Sequence, residues 1–319
     1  MLGSLASLQM SLAEVGVKVE ECVTTVAVLP SDRDGRLWDA IVVDQQIKDR
    51  LLHQALLSLR VRPLLPFELS ALHGLIILYG PPGTGKTTLA RGLAAELAAC
   101  VTGGKVRMIE VSPHGLMSAE HGQSQQRVTE LLAEYVPSLA DDGMPTIVVL
   151  DEVEAMTVAR SAASLSANPA DVHRATDAVL TALDRNAATS PHLLVVATSN
   201  FTDTLDEAFL SRCDTAIPIP LPSPAAISQI LAATLRDFVA LDPALGRLAE
   251  SPMLTRVAAR LEGIDGRQAR KLVSEAMTRR LDTVLDPGAL TIADLLAAAE
   301  DWAASQLSGH GTGDRDAAA

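Results

Sequence analysis

One stretch of this 319-residue chain limits its fold more than any other: Gly80-Pro81-Pro82-Gly83-Thr84-Gly85-Lys86-Thr87. It satisfies the phosphate-cradling spacing G-x-x-x-x-G-K-[ST] without a mismatch. The spacing has chemical meaning only between a strand and a helix, and the flanks supply both. Leu75-Ile76-Ile77-Leu78-Tyr79 reads as a buried strand, and Leu89, Leu93 and Leu97 recur on one helical face. A glycine-rich turn that opens a helix aims backbone N–H groups and the positive helix end at an anion. The expected ligands are therefore ATP and Mg²⁺, with Gly80 through Thr87 and the following Thr88 around the phosphates. Lys86 reaches the β/γ oxygens and the Thr87 hydroxyl ligates the metal.

Two further strand ends carry polar residues. Thr146-Ile147-Val148-Val149-Leu150 is wholly apolar after its first residue and ends in Asp151-Glu152. Such a run fits a central parallel strand covered on both faces. Acids at its C-terminal end lie on the ligand side of the sheet. Asp151 is placed to hold the Mg²⁺ shell, and Glu152 to orient and deprotonate the attacking water. Leu193–Ala197 is another strand, followed by Thr198-Ser199-Asn200. An Asn there is placed to sense the γ-phosphate; the plain alternative is an Asn capping the next turn. Upstream, Trp38–Asp44 leads into a helix over about 44–60, and Val42 and Val43 are the expected adenine contacts. Trp38 itself reads equally as core.

The chain divides into a short N-terminal extension (1–32), a large α/β nucleotide-binding domain (33–222), a small helical domain (223–306) and a disordered tail (307–319). Leu5, Leu8 and Leu12 in the extension fit a helix face; Val17, Val19, Val26 and Val28 look strand-like. A helix is expected over 124–136, a loop over Pro137–Pro145, and a loop over Val158–Pro169. Pro218 and Pro220 place a last strand at a sheet edge, because proline is excluded from central ladders. Beyond Pro222 and Pro224 the pattern is helical and rich in Ala and Leu.

Composition narrows the function. The net charge is −13, which argues against broad nucleic-acid binding, a function of Lys/Arg-rich faces. Three scattered cysteines (Cys22, Cys100, Cys213) suit reduced thiols and the cytoplasm. No apolar run reaches the roughly 18 residues that a membrane span needs.

Phosphate loop, Asp-Glu strand end, Asn strand end, a following Arg and a helical C-terminal part with Gly266-Arg267 occur in one order. In that order they resemble the AAA+ ATPases. Within that group the chain is most similar to the pachytene-checkpoint ATPases, which remodel HORMA-domain proteins, and to their bacterial relatives. The stretches that carry the likeness are VVLDEVEAMTVAR, PADVHRATDAVLTALD and ATSNFTDTLDEAFLSRCD, with GIDGRQARKL at 263–272. The resemblance implies a homo-hexameric ring with ATP between subunits. Arg212 would act in trans as an arginine finger, Arg267 would be the second-sensor arginine, and Arg174 would line the subunit interface. It also implies a HORMA-domain substrate, with a nucleotidyltransferase nearby in bacterial antiphage signalling that the ATPase keeps off.

One position departs from the family pattern. Glu120 and His121 stand where many such unfoldases carry an aromatic that grips substrate in the pore. A grip built on Glu and His is electrostatic, and His121 would make it pH-sensitive. Two competing readings remain. Ser211-Arg212-Cys213 is also the finger tripeptide of clamp loaders in DNA replication, which the acidic charge and the absence of a cysteine-rich zinc module oppose. A ring that binds nucleotide without hydrolysing it is opposed by the intact Lys86, Asp151, Glu152, Asn200 and Arg212.

Overall fold

The computed structural model describes residues 22–30, 37–112, 123–157, 169–201 and 205–309. Glu120 and His121, the N-terminal pattern up to Val19, the 158–168 part of the expected loop and the tail from 310 lie outside these residues.

Six strands form one sheet: β1 (Val23–Leu29), β2 (Leu75–Tyr79), β3 (Val106–Val111), β4 (Thr146–Leu150), β5 (Leu193–Ser199) and β6 (Thr215–Pro218), in the order β1-β3-β4-β5-β2-β6. All neighbours pair in parallel except β1, which runs antiparallel to β3. The strands β2, β4 and β5 are apolar and almost wholly buried, as parallel strands covered on both faces must be. Part of the expected N-terminal extension is thus a sheet strand. Its alternation, with Val26 and Val28 exposed and Leu29 buried, is that of an edge with one face in water. The proline-bearing strand, expected at 217–220, is β6 at 215–218, on the other edge.

Register sets the polar residues side by side. Leu150 lies opposite Ala197, and Tyr79 opposite Ser199. One residue further, Asp151 comes beside Thr198 and Gly80 beside Asn200. The chain passes from β5 to β6 across β2, so the strand order reverses here, and ligands of open α/β sheets bind at such a reversal, beyond the carboxyl ends of the strands.

Helices α1 (Leu37–Ala40), α2 (Gln45–Val61), α3 (Phe67–Ser70) and α4 (Lys86–Cys100) flank these strands in the chain. Leu89, Leu93 and Leu97 of α4 are fully buried, as their spacing predicts. Trp38 is buried beneath Lys48, whose Nζ lies 5.6 Å from the ring centroid and donates to the Trp38 carbonyl. A Cβ on Gly92 would come within 2.7 Å of Trp38 N, so α1 can approach α4 only at a glycine.

Helix α5 departs from expectation. It begins at Gln123–Thr129, widens over Glu130–Tyr135 and continues through Val136–Ala140. Pro137 does not end it. In the widened turn Val136 N–H bonds to Leu131 O, five residues back. The wider register relieves the clash between a proline ring and the carbonyl four residues earlier. Helix α6 (Pro169–Thr189) buries Ala175, Val179 and Leu183, and α7 (Glu207–Ser211) is capped by Asp206.

At the opposite ends of the strands, the buried guanidinium of Arg62 bonds to the carbonyls of Leu193, Asn186 and Ser190. Asp214 accepts from the backbone N–H groups of His73 and Gly74 and from the Ser58 hydroxyl. Burial pulls Arg62 down to about 10, so it stays charged at neutral pH. These bonds tie the starts of β2 and β5 to α2 and to the residue ahead of β6.

The chain divides into two compact units. The first comprises residues 1–39, 45–80 and 86–219; the second takes 40–44, 81–85 and 220–319. The second is all-helical in its main body: α8 (Pro224–Asp237), α9 (Ala244–Ala249), α10 (Leu254–Ala259), α11 (Gly266–Thr278), α12 (Leu281–Leu285) and α13 (Ile292–Gly309). Leu231, Leu235, Val257, Leu272 and Leu295 are among its fully buried side chains. Helix α13 runs three residues into the stretch expected to be tail. Among the described residues, no helix is long and apolar enough to cross a membrane, and the three cysteines are free thiols.

Candidate functional site

In the first unit, the ends of β2, β4 and β5 bring five of the expected residues together. Lys86, at the start of α4, is only 6% exposed. Its ammonium donates to Gly80 O at 2.9 Å and to Asn200 Oδ1 at 2.8 Å. Thr87 donates to Asp151 Oδ1 at 2.5 Å. Asn200 Nδ2 approaches Glu152 Oε1 at 3.5 Å. Lysine, hydroxyl, two carboxylates and amide thus converge from positions up to 114 residues apart.

Glu152 adopts φ 53°, ψ 53°, a left-handed conformation uncommon for a residue other than glycine. Such strain costs on the order of 1–3 kcal/mol and persists where the surroundings hold it. Here Thr198 holds it. Its buried hydroxyl accepts from Glu152 N at 3.1 Å and donates to Asp151 Oδ1 at 2.6 Å. The sharp turn leaves the Glu152 side chain exposed at the strand end.

Gly80 bonds through its N–H to Ser199 O and has φ +144°. A Cβ there would lie 2.2 Å from Ile219 O, so only glycine lets β2 leave the sheet at this point.

The second unit holds the middle of the phosphate loop, Pro81–Gly85, with the start of α11. Gly83 and Gly85 have φ of +76° and +92°. Thr84 donates to Pro81 O. Gly83 O accepts from Arg267 N at 3.2 Å, and Asp265 caps α11 by accepting from the N–H groups of Arg267 and Gln268. Arg267 is exposed in the first turn of a helix, where a cation opposes the helix dipole. The tie to Gly83 is made by its backbone N–H, so the side chain itself is left exposed at the helix start. Val42 packs against the helical core of this unit, and Val43 is half-buried.

Arg212, at the end of α7, is engaged within its own chain. Its Nε and Nη2 donate to the two oxygens of Asp184 at 2.6 and 2.7 Å, and Nη1 donates to Ala208 O. The guanidinium bonds hold the Asp184 carboxyl below the usual carboxylate range. His73 Nε2 lies 3.5 Å from the same carboxylate. Arg174 is exposed on α6.

The residues present suit Mg²⁺. A hydroxyl and a carboxylate meet beside the phosphate-loop lysine, and hard oxygen donors are what that ion takes. Among the described residues no group of three or more His, Cys, Asp or Glu forms a metal cage.

Sequence reasoning missed three partners: Thr198, Asp184 and Glu154. Glu154 Oε1 accepts from Asn200 N at 3.1 Å and pins the end of β5. The tripeptide Ala-Thr-Ser before Asn200 carried the only hint, a hydroxyl at a strand end.

The model of the AAA family (ATPase family associated with various cellular activities) matches residues 76–221. The chain is 44% identical to CD-NTase-associated protein 6 of Pseudomonas aeruginosa over 88% of its length and 92% of the relative's. It is 30% identical to the rat pachytene checkpoint protein 2 homolog, over 89% of this chain and 71% of that one. Among solved structures, a chain of an E. coli HORMA:CdnC:Trip13 complex superposes with a TM-score of 0.71 at 16% identity, covering 89% of this chain and 97% of that one. C. elegans PCH-2 gives 0.62 at 22%, covering 89% and 76%. At such identities the two structures speak to the fold, an α/β sheet unit with a helical C-terminal region. The long, high-identity matches in sequence carry the assignment: the chain belongs to the AAA ATPases and, within them, to the pachytene checkpoint protein 2 family.

Proposed function

We propose that this chain hydrolyses ATP as a homo-hexameric ring and uses the cycle to disassemble a HORMA-domain protein complex, holding bacterial cyclic-oligonucleotide antiphage signalling off. The observation that carries the ATPase part is the Lys86–Asn200–Glu152 and Thr87–Asp151–Thr198 cluster at three adjacent strand ends. The substrate part is supported by the kinship with a CD-NTase-associated protein and by the fold shared with a chain of the HORMA:CdnC:Trip13 complex.

In this reading Lys86 exchanges its bonds to Gly80 and Asn200 for β/γ-phosphate oxygens. Thr87 and Asp151 would hold Mg²⁺, which would supply positive charge beside the phosphates. Glu152 takes the proton of the attacking water, and Asn200 orients that water from the side. Arg212 reaches the neighbouring subunit's γ-phosphate, a contact worth about 10³–10⁵ in rate. Arg267 follows the nucleotide with the helical unit, Val42 and Val43 flank the adenine, and the ring works in the cytoplasm.

The test is Glu152→Gln. It should bind ATP, lose turnover and trap the client. Purified from its own cell with ATP, the trapped ring should carry a HORMA-domain protein, with or without a nucleotidyltransferase. Recovery of clamp or polymerase subunits instead would overturn the proposal, as would undiminished hydrolysis by the variant.

A further inference from the structure

We infer that Asp184 is the positioning residue for Arg212: it fixes the guanidinium so that the arginine's remaining donors face outward to a neighbouring copy's nucleotide. The inference rests on the trans role proposed for Arg212 and names the residue that makes that role possible.

Arginine carries five N–H donors in a planar fork. Three are used within the chain: Nε and Nη2 on the two oxygens of Asp184, and one on Nη1 to Ala208 O, the carbonyl four residues earlier on α7. A bidentate pair sets both the position and the plane of the guanidinium. Two donors, one on each terminal nitrogen, stay available for an oxyanion. An unrestrained arginine at a helix end would sample many rotamers, and ordering it only when the neighbour's phosphate arrives would cost side-chain entropy. Asp184 removes that freedom before the encounter.

Asp184 is itself well anchored. It lies on α6, a helix of 21 residues, while Arg212 follows a helix of five. The long helix therefore references the short one. Its carboxylate is about half exposed, with side-chain exposure of 46% against 22% for Arg212, so the pair is accessible at the surface. His73 Nε2 also approaches its Oδ1, at 3.5 Å. A partly exposed bidentate pair of this kind ties α7 to α6 and fixes the plane of the guanidinium at the same time.

The experiment uses full-length rings and subunit mixing. Arg212→Ala subunits keep their own phosphate loop, and Glu152→Gln subunits keep their finger. Each ring alone should be inactive, and mixing the two should restore hydrolysis, because some interfaces then join an intact site to an intact finger. Asp184→Ala should behave like Arg212→Ala. Alone it should lose about 10²-fold in turnover, the scale of a misplacement of ~1 Å in a catalytic group. It should bind a fluorescent ATP analogue as the unsubstituted ring does, and be rescued by Glu152→Gln subunits. The double variant Asp184→Ala/Arg212→Ala should be no slower than Arg212→Ala. Asp184→Asn, which keeps the volume and loses the bidentate acceptor, guards against a folding defect and should follow Asp184→Ala. Near-normal turnover by both Asp184 variants, with Arg212→Ala inactive, would overturn the inference. So would a loss in Asp184→Ala that Glu152→Gln subunits fail to rescue, which would mark a general structural defect. Failure of Arg212→Ala itself to complement would instead remove the trans reading on which the inference stands.

Discussion

Thr198→Val separates the geometry of the strand ends from the catalytic residues themselves. The substitution keeps the shape and β-branching of a fully buried position and deletes one oxygen. That oxygen makes two bonds, a donation to Asp151 Oδ1 at 2.6 Å and an acceptance from Glu152 N at 3.1 Å. A hydrogen bond to a charged group is worth about 1.5–3 kcal/mol and a neutral one about 0.5–1.5. Losing both should cost roughly 2–4.5 kcal/mol. For a unit of this size each kcal/mol lowers Tm by about 2–4 °C, so differential scanning calorimetry without nucleotide should show a clear drop. The functional effect should be sharper. The left-handed turn at Glu152 loses the bond that fixes it, and the base moves relative to the water. Hydrolysis should fall by about 10²-fold while ATP affinity changes little. Thr198→Ser, which restores the hydroxyl, should recover most of both. A Thr198→Val protein with Tm within about a degree of the parent and undiminished turnover would refute the reasoning.

Two other perturbations follow from the same structure. Gly80→Ala places a Cβ against Ile219 O at a φ of +144°, and strain plus overpacking should destabilise the chain by ~2–6 kcal/mol and abolish ATP binding; normal binding by a stable variant would count against the tight exit of β2. Burial raises the Cys213 thiol to about 12 from its ordinary 9.0, so near pH 8 iodoacetamide should label exposed Cys100 and spare Cys213. Because the folded-state value lies above the unfolded one, the buried thiol stabilises the fold fully below about pH 9 and loses that contribution as pH climbs towards 12. The native protein should therefore lose stability more steeply above pH 9 than Cys213→Ala, as followed by urea unfolding; parallel curves would refute the linkage.

What was legible in the chain and what was not divides along a physical line. Local signals sufficed wherever one segment determined its own state. The apolar runs at 75–79, 146–150 and 193–197 became strands within two residues, because a segment with no polar face can only be covered on both sides. The phosphate loop was legible because glycine spacing, lysine and helix start lie within eight consecutive residues. Helix α5 misled at Pro137, where proline statistics predict a stop, because a widened turn can absorb the ring without breaking the helix. The strand in the N-terminal extension was half-seen, since Val26 and Val28 alternate but their partner β3 is some 80 residues away. Separation along the chain likewise hid Thr198, Glu154 and Asp184. Each acts on a residue that the motif names, Asp151 and Glu152, Asn200, and Arg212, across 28 to 47 positions of chain. No spacing rule connects them, because the connection is made by sheet register and helix packing. Motifs therefore named the groups that would touch substrate, while the groups that aim them emerged only once β4 lay beside β5 and α6 beside α7. A single carboxylate such as Asp184 can then decide whether a correctly placed arginine is also correctly pointed.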